Sequence, residues 1–116
     1  MTDQVPTQLP NPSGYKILCA VPKAEDKFGD LLAKPSEVVR VEEQTTIVLF
    51  VLKLGPEAYK DKLKFPNGPW CKEGDFVITR AYQGTRVKIH GREFRIINDD
   101  TVDAVVDDPR GISRAG

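Results

Sequence analysis

The chain has 116 residues, and its 17 basic and 17 acidic residues leave no formal net charge. That length suits a single domain around one core, and the balanced charge offers no field of one sign to attract nucleic acid or a membrane surface. The chain also lacks an apolar run of roughly 18 residues that could span a membrane and the basic, apolar start of an export signal, so we expect a cytoplasmic protein without a membrane partner.

The first half of the chain predicts a flexible arm, a strand, a charged segment and a second strand. Residues 1–13 hold three prolines and few groups that could enter a core, as a flexible arm does. Residues 15–21 alternate between two faces and end at Pro22, which indicates a strand. Residues 45–55 form a β-branched and aromatic run, which predicts the central strand of the core.

The charged segment AEDKFGDLLAKPSE, residues 24–37, contains two adjacent leucines, Leu31 and Leu32. Charged residues, glycine and proline surround them, so they cannot easily face the core of their own domain. Two explanations stay open at this point. The leucines dock on a partner, or they fold back and cap one end of the domain.

Residues 56–80 predict a loop followed by a strand. Prolines and glycines interrupt residues 56–70, so we expect mostly loop there, with one short hairpin over 59–63. A turn at 73–74 then leads into a strand over 75–80.

The last part of the chain predicts two successive hairpins and a final strand. The hairpin turns fall at 83–84 and 90–91, between alternating runs. An apolar run at 102–106 lies between acidic turns, and a polar tail occupies 110–116. About six short strands without a long helix predict an all-β domain, either a small barrel or a sandwich.

The chain offers little for catalysis. His90 is the only histidine, and its place in a turn indicates a solvated residue rather than a general base. Neither familiar glycine-rich phosphate loop is present. The acidic run from Asn98 to Asp103 lacks the central glycine and the distant glutamate of a calcium loop, so turn residues that bond their own backbone explain it better. We therefore expect no enzyme, no metal and no bound cofactor.

The two cysteines, Cys19 and Cys71, are too few and too far apart for a disulfide framework or a metal knuckle. They suit a reducing compartment as small, partly buried side chains. A single bridge between them is the alternative.

The run YKDKLKF is the one hint of nucleic-acid binding. Tyr59 and Phe65 could stack bases while Lys60, Lys62 and Lys64 meet phosphates on a small barrel. Alternating lysines also suit the solvated face of an exposed hairpin, and the neutral total charge favours that explanation. A single-stranded nucleic-acid binder stays an alternative.

Two motifs, KEGDFVI at 72–78 and EFRIINDDTVDAVVDD at 93–108, carry a resemblance to a known family. They are similar to the C-terminal half of the GroES-type co-chaperonins, where a lysine-x-glycine-aspartate turn enters a strand and an acidic turn precedes a final apolar strand. The first strand, the polar loop and VLKLG at 51–55 follow in the family's order, so the similarity covers 13–109. The run LGPEAYKDKLKFPNGPWCKEGD resembles the divergent co-chaperonins found in bacteriophage genomes.

The resemblance implies an irregular, GroES-like β-barrel over residues 14–109, with a long mobile loop and a roof-type hairpin. Such subunits form a seven-membered ring that caps a chaperonin cage and assists the ATP-dependent folding of client proteins. The chaperonin binds the ATP, so the resemblance implies no cofactor for this chain.

The family's mobile loop docks on the apical domains of the chaperonin through a glycine pair followed by an apolar triplet. The corresponding loop here covers about 25–38, with Gly29 and Asp30 at the glycine pair. The chain departs from the pattern by this aspartate and by an alanine at the end of the triplet. The partner-binding residues that the resemblance implies are Phe28, Gly29, Asp30, Leu31, Leu32 and Ala33.

The family's roof hairpin corresponds to about 56–69 of this chain. The residues that the resemblance places toward the cavity or the pore of the ring are Tyr59, Lys60 and Lys62. The apolar Leu63, Phe65 and Trp70 are expected to anchor the segment to the barrel.

A phage origin leaves one further functional class. A co-chaperonin barrel can be reused as a structural or decoration protein of a virion, where the same loop would grip the capsid. The protein would then lie in virions rather than in the host cytoplasm. Both roles need an exposed apolar loop, so the sequence does not separate them.

Overall fold

The computed structural model describes residues 9–22, 47–80, 83–110, 112 and 115. The strands in this part of the chain are β1 (Lys16–Ala20), β2 (Val48–Leu54), β3 (Phe76–Ile78), β4 (Thr85–Ile89), β5 (Arg92–Asn98) and β6 (Ala104–Val106). They form one sheet of order β4-β5-β1-β2-β3-β6, and every neighbouring pair is antiparallel. A 3-10 helix, Asp99–Thr101, follows β5. The predicted all-β class is confirmed.

Strand β1 lies between β5 and β2 and buries both of its faces, because its alternating side chains enter two hydrophobic clusters. We call the larger one the main core, and it consists of Ile17, Cys19, Val21, Leu49, Val51, Ala58, Tyr59, Phe65, Cys71, Val77, Ile97 and Val102. The opposite face carries the outer cluster, formed by Leu18, Ala20 and Phe94 with Leu9, Phe50, Leu52, Ile89 and Ile96 packed against it. The alternation predicted for 15–21 is therefore confirmed.

The chain contacts the sheet before the predicted boundary at residue 14. Leu9 packs against the outer cluster, and Pro12 is buried. The side chain of Asn11 accepts a hydrogen bond from Lys53 Nζ at 2.8 Å. The predicted arm over 1–13 therefore includes residues that belong to the folded domain, because even one leucine and one proline can cover an apolar sheet face.

Strand β2 is the predicted central strand, and it pairs with both β1 and β3. Its pairing with β1 shifts register between Leu18 and Cys19, where a bulge is accommodated. After β2, the Gly55 N–H donates to the Lys16 carbonyl oxygen at 2.8 Å. A Cβ at Gly55 would lie 2.4 Å from the carbonyl oxygen of Gly14. A side chain does not fit there, so the close approach of the two segments requires glycine.

The hairpin predicted at 90–91 is confirmed between β4 and β5. Ile89 pairs with Arg92, which leaves a two-residue loop. The two loop residues, His90 and Gly91, have positive φ values of 51° and 80°, as a type I′ turn requires. The histidine is exposed in this turn, as the sequence predicts.

The first predicted hairpin, which would join β3 to β4 through 83–84, is wrong. Strand β3 pairs with β2 and β6, whereas β4 pairs with β5 at the other end of the sheet. Phe76 of β3 packs on Phe50 of β2 with ring centroids 4.9 Å apart, so burial favours this pairing. Strand β4 is mostly exposed and suits an edge.

We expect Leu49→Ala to lower the free energy of unfolding by about 2–5 kcal/mol, because it empties part of the main core. Leu49 is fully buried there. The matched control is Leu63→Ala, since Leu63 is 94% exposed and its loss should change stability by less than about 0.5 kcal/mol. Urea unfolding at one protein concentration compares the variants. Equal midpoints would contradict the described core.

Candidate functional site: the insertion and the open strand edge

Residues 56–70, which we call the insertion, connect β2 toward β3 through a series of turns. All of these residues lie in the described part of the chain, and none of them belongs to a strand. The hairpin predicted over 59–63 is therefore wrong. Tyr59 has a left-handed φ of 61°, and Asp61 Oδ1 accepts hydrogen bonds from the N–H groups of Leu63 and Lys64 at 3.0 and 3.3 Å. These local bonds favour a turn over an extended pair.

Three aromatic rings hold the insertion together. Phe65 meets Tyr59 edge to face with centroids 4.8 Å apart, and it meets Trp70 in the same way at 4.9 Å. Tyr59 and Phe65 are buried, but Trp70 remains 45% exposed. Such contacts contribute beyond the burial of area. Phe65 is confirmed as an anchor of this segment.

Tyr59 is a buried anchor and does not face a pore, so the orientation predicted for it is wrong. Its N–H donates to Asp99 Oδ2 at 3.0 Å, and its hydroxyl oxygen lies 3.5 Å from Cys71 Sγ. Burial, followed by the contact with Cys71, raises the pKa of the Tyr59 hydroxyl above its usual range. Because Tyr59 and Phe65 are both buried, they cannot stack bases as the nucleic-acid alternative requires.

The outer surface of the insertion combines lysines with an apolar tip. Lys60 and Lys62 are exposed, in agreement with their predicted exposure. Leu63 is 94% exposed, so the prediction that it anchors the segment is wrong. Lys64 Nζ donates to Asp100 Oδ2 at 2.6 Å and ties this surface to the 3-10 helix.

Strand β6 is the last strand of the sheet, and it pairs only with β3 among the described strands. Its outer edge therefore has no partner strand within the described ranges, and we call it the open edge. Val105 on this strand is 43% exposed and lies near the exposed face of Trp70. A cleft of about 480 Å³ separates the strand from the insertion, and its lining consists of Trp70, Asp100, Val102, Asp103, Ala104 and Val105. An open edge beside apolar groups is a surface suited to pairing with another chain.

Both cysteines are buried free thiols. Burial raises the pKa of Cys19 and of Cys71 above the usual thiol range. A thiol held in its neutral form is a poor nucleophile, so the structure favours the unbridged, inert pair that the sequence predicts.

The predicted partner-binding residues, Phe28 to Ala33, lie outside the described residues. Among the residues that the structure does describe, no group of three or more His, Cys, Asp or Glu side chains is arranged to hold a metal ion. In the same part of the chain, no helix is long and apolar enough to cross a membrane.

The described residues thus define a small antiparallel β-domain whose functional features are surfaces: a charged insertion and an open, apolar strand edge. Surfaces of this kind are suited to contact with other chains. No protein-family model matches the chain.

Comparison with curated proteins identifies the family. The chain is 31% identical to the co-chaperonin GroES of Caldicellulosiruptor saccharolyticus over 97 residues, which cover 84% of this chain and 96% of that protein. It is 27% identical to the co-chaperonin GroES of Clostridium botulinum over 96 residues, 83% of this chain and 96% of the relative. The chain belongs to the co-chaperonin GroES family, which is not a family of enzymes. The family resemblance seen in the sequence is confirmed, whereas the bacteriophage origin stays a prediction.

We expect Asp99→Ala to loosen the insertion, because the buried N–H of Tyr59 loses its acceptor. The free energy of unfolding should fall by about 1–3 kcal/mol. Trp70 is the only tryptophan, so its fluorescence reports on the insertion directly and should shift toward the solvated value. The control is Asp100→Ala, which breaks an exposed ion pair and should cost less than about 1 kcal/mol. Equal effects of both variants would rule out the anchoring role of Asp99.

Proposed function

We propose that the chain is a co-chaperonin that forms a ring, caps a chaperonin cage and assists ATP-dependent folding of client proteins. The observation that carries this proposal is the extent of the match, since the similarity to the Caldicellulosiruptor GroES covers 84% of this chain and 96% of the relative. The chain would act without an ATPase of its own, and ATP would be bound by the chaperonin.

The open edge of β6 supports assembly into a ring. Its backbone donors and acceptors on the outer side have no neighbouring strand in the described sheet, and Val105 and Trp70 add apolar area beside them. Strand β1 has no free edge, because it pairs with both β5 and β2. Of the two strands at the ends of the sheet, β4 and β6, we assign the contact to β6, because Val105 and Trp70 expose apolar area beside it. The ring size that we propose, seven subunits, is the one that the family resemblance implies.

The charged segment 25–38 is proposed as the loop that docks on the apical domains of the chaperonin. Burial of one leucine side chain contributes roughly 1.5–3 kcal/mol, and ordering a flexible segment on binding costs about 2–5 kcal/mol. One loop should therefore bind weakly. A ring presents several loops at once, and linked weak contacts combine into tight binding. Such binding can still be reversed by a modest change in the partner, as a lid requires.

The insertion is proposed to lie near the opening of the ring, in the position of the family's roof. Its lysines, Lys60 and Lys62, would face the pore, while Tyr59 holds the segment to the barrel from below. The exposed Leu63 lies between Lys62 and Lys64 in the sequence.

Sedimentation of the purified protein tests the ring. We expect a mass several times that of one 12.9 kDa chain at micromolar concentration. Val105→Lys should shift the protein toward monomers without unfolding it, because Val105 is partly exposed on the open edge and a lysine there would lose its hydration when a neighbouring chain covers the edge. The control Thr85→Lys places the same charge on the exposed edge strand β4 and should leave the assembly intact. A wild-type monomer would contradict the ring.

Leu32→Ser tests the docking loop. We expect it to leave the melting temperature almost unchanged and to abolish capture by a nucleotide-bound chaperonin, because the small loss per loop recurs around the ring. Leu63→Ser is the matched control, since it removes an exposed leucine outside the loop, and it should preserve capture. If Leu32→Ser instead lowers stability by about 2 kcal/mol or more, as a core substitution does, the leucine packs against its own domain.

A further inference from the structure

Arg95 is a charged residue in the interior of the sheet. It lies on β5, between Arg86 of β4 and Cys19 of β1 in the cross-strand register. Its side chain is only 4% exposed. Because Arg95 stands directly opposite Cys19 of the main core, the two side chains share one face of the sheet. The positive charge opposes the effect of burial on the pKa of the Cys19 thiol.

The hydrogen-bonding capacity of this guanidinium is mostly unused. Its Nη2 lies 3.5 Å from Glu93 Oε2, at the outer limit of a hydrogen bond. Its Nε and Nη1 are buried and find no acceptor among the described residues. A buried guanidinium carries five N–H donors, and leaving such a charge without partners is strongly unfavourable.

Among the described residues, positively charged groups surround Glu93. Arg86 Nε donates to the same Glu93 oxygen at 3.0 Å, so this carboxylate contacts two guanidinium groups. Lys88 stands opposite Glu93 in the register of β4 and β5. The pKa of Glu93 is lowered overall. Burial raises this pKa, but the hydrogen bond from Arg86 and the charges of Arg86 and Arg95 outweigh that effect.

We propose that Arg95, with Arg86 beside it, forms a binding site for an oxyanion, a phosphate or carboxylate group. Guanidinium groups match the geometry of such anions and bind them through charge-assisted hydrogen bonds. Arg86 has a side chain that is 54% exposed, and Glu93 one that is 25% exposed. Binding requires the anion to enter past these two side chains, because Nε and Nη1 are themselves buried, and the anion then supplies the acceptors that these two atoms lack. The anion is either free in solution or carried by a carboxylate of another chain.

Thermal unfolding in matched salts tests the site on the full-length protein. Inorganic phosphate is titrated in one arm and acetate in the other, with potassium chloride at equal ionic strength as the reference. We expect a saturable rise of the melting temperature above the chloride reference. A rise of the melting temperature with phosphate alone would indicate a free phosphate ligand. A rise with acetate as well would indicate a site for carboxylates, including those of partner chains.

Arg95→Met separates the site from the general stabilising effect of phosphate. The variant should be at least as stable as the wild type in chloride, because it replaces a buried, poorly paired charge with an apolar side chain, and its response to the anions should be lost. Lys72→Met removes one positive charge from an 80% exposed side chain and should keep the full response.

Arg86→Met is the second variant, since the exposed position tolerates it, and the apparent dissociation constant should rise about tenfold. The proposal is overturned if wild type and Arg95→Met respond equally, or if neither anion raises the wild-type melting temperature above chloride. It is also overturned if Arg95→Met is less stable in chloride and keeps its anion response.

Discussion

Strand β1 carries the fold, because its five residues pair along both edges and pack on both faces. Antiparallel partners on the two sides satisfy its backbone donors and acceptors. Alternation then sends Ile17 and Cys19 into the main core and Leu18 and Ala20 into the outer cluster. Since both clusters share this one strand, neither can form without the pairing of β1 with β2 and β5. The paired strands β1, β2 and β5 form the framework that positions the insertion and the open edge.

The position of the insertion depends on Asp99. This buried carboxylate follows β5 and accepts the N–H of Tyr59 in the insertion. The adjoining Asp100 holds Lys64 from outside. The 3-10 helix that contains both aspartates leads directly into β6. The insertion and the open strand edge are therefore fixed to the same short element.

The charged residues of the sheet serve different purposes at its two ends. On the insertion and the 3-10 helix, charged groups lie at the surface, and Lys64 pairs there with Asp100. Near β4 and β5, the guanidinium of Arg95 is buried, and two of its nitrogens have no acceptor among the described residues. A charge within an apolar strand face lowers the stability of the fold. The proposed anion site would explain why the chain keeps this charge.

The sequence by itself determined the all-β class, the alternation of β1, the β4–β5 turn and the family, because period-two patterning, glycine at positive φ and motif order are local properties. It also identified Phe65 as an anchor and His90 as a solvated turn residue. The tertiary structure decided what depends on distant partners. Asp99, 40 residues away, accepts the N–H of Tyr59 and fixes its position, and β3 pairs with β2, where Phe76 packs on Phe50. The burial of Arg95 with only a long contact to Glu93 emerges only when β1, β4 and β5 are brought together, since no local pattern shows which face of a strand lacks an acceptor.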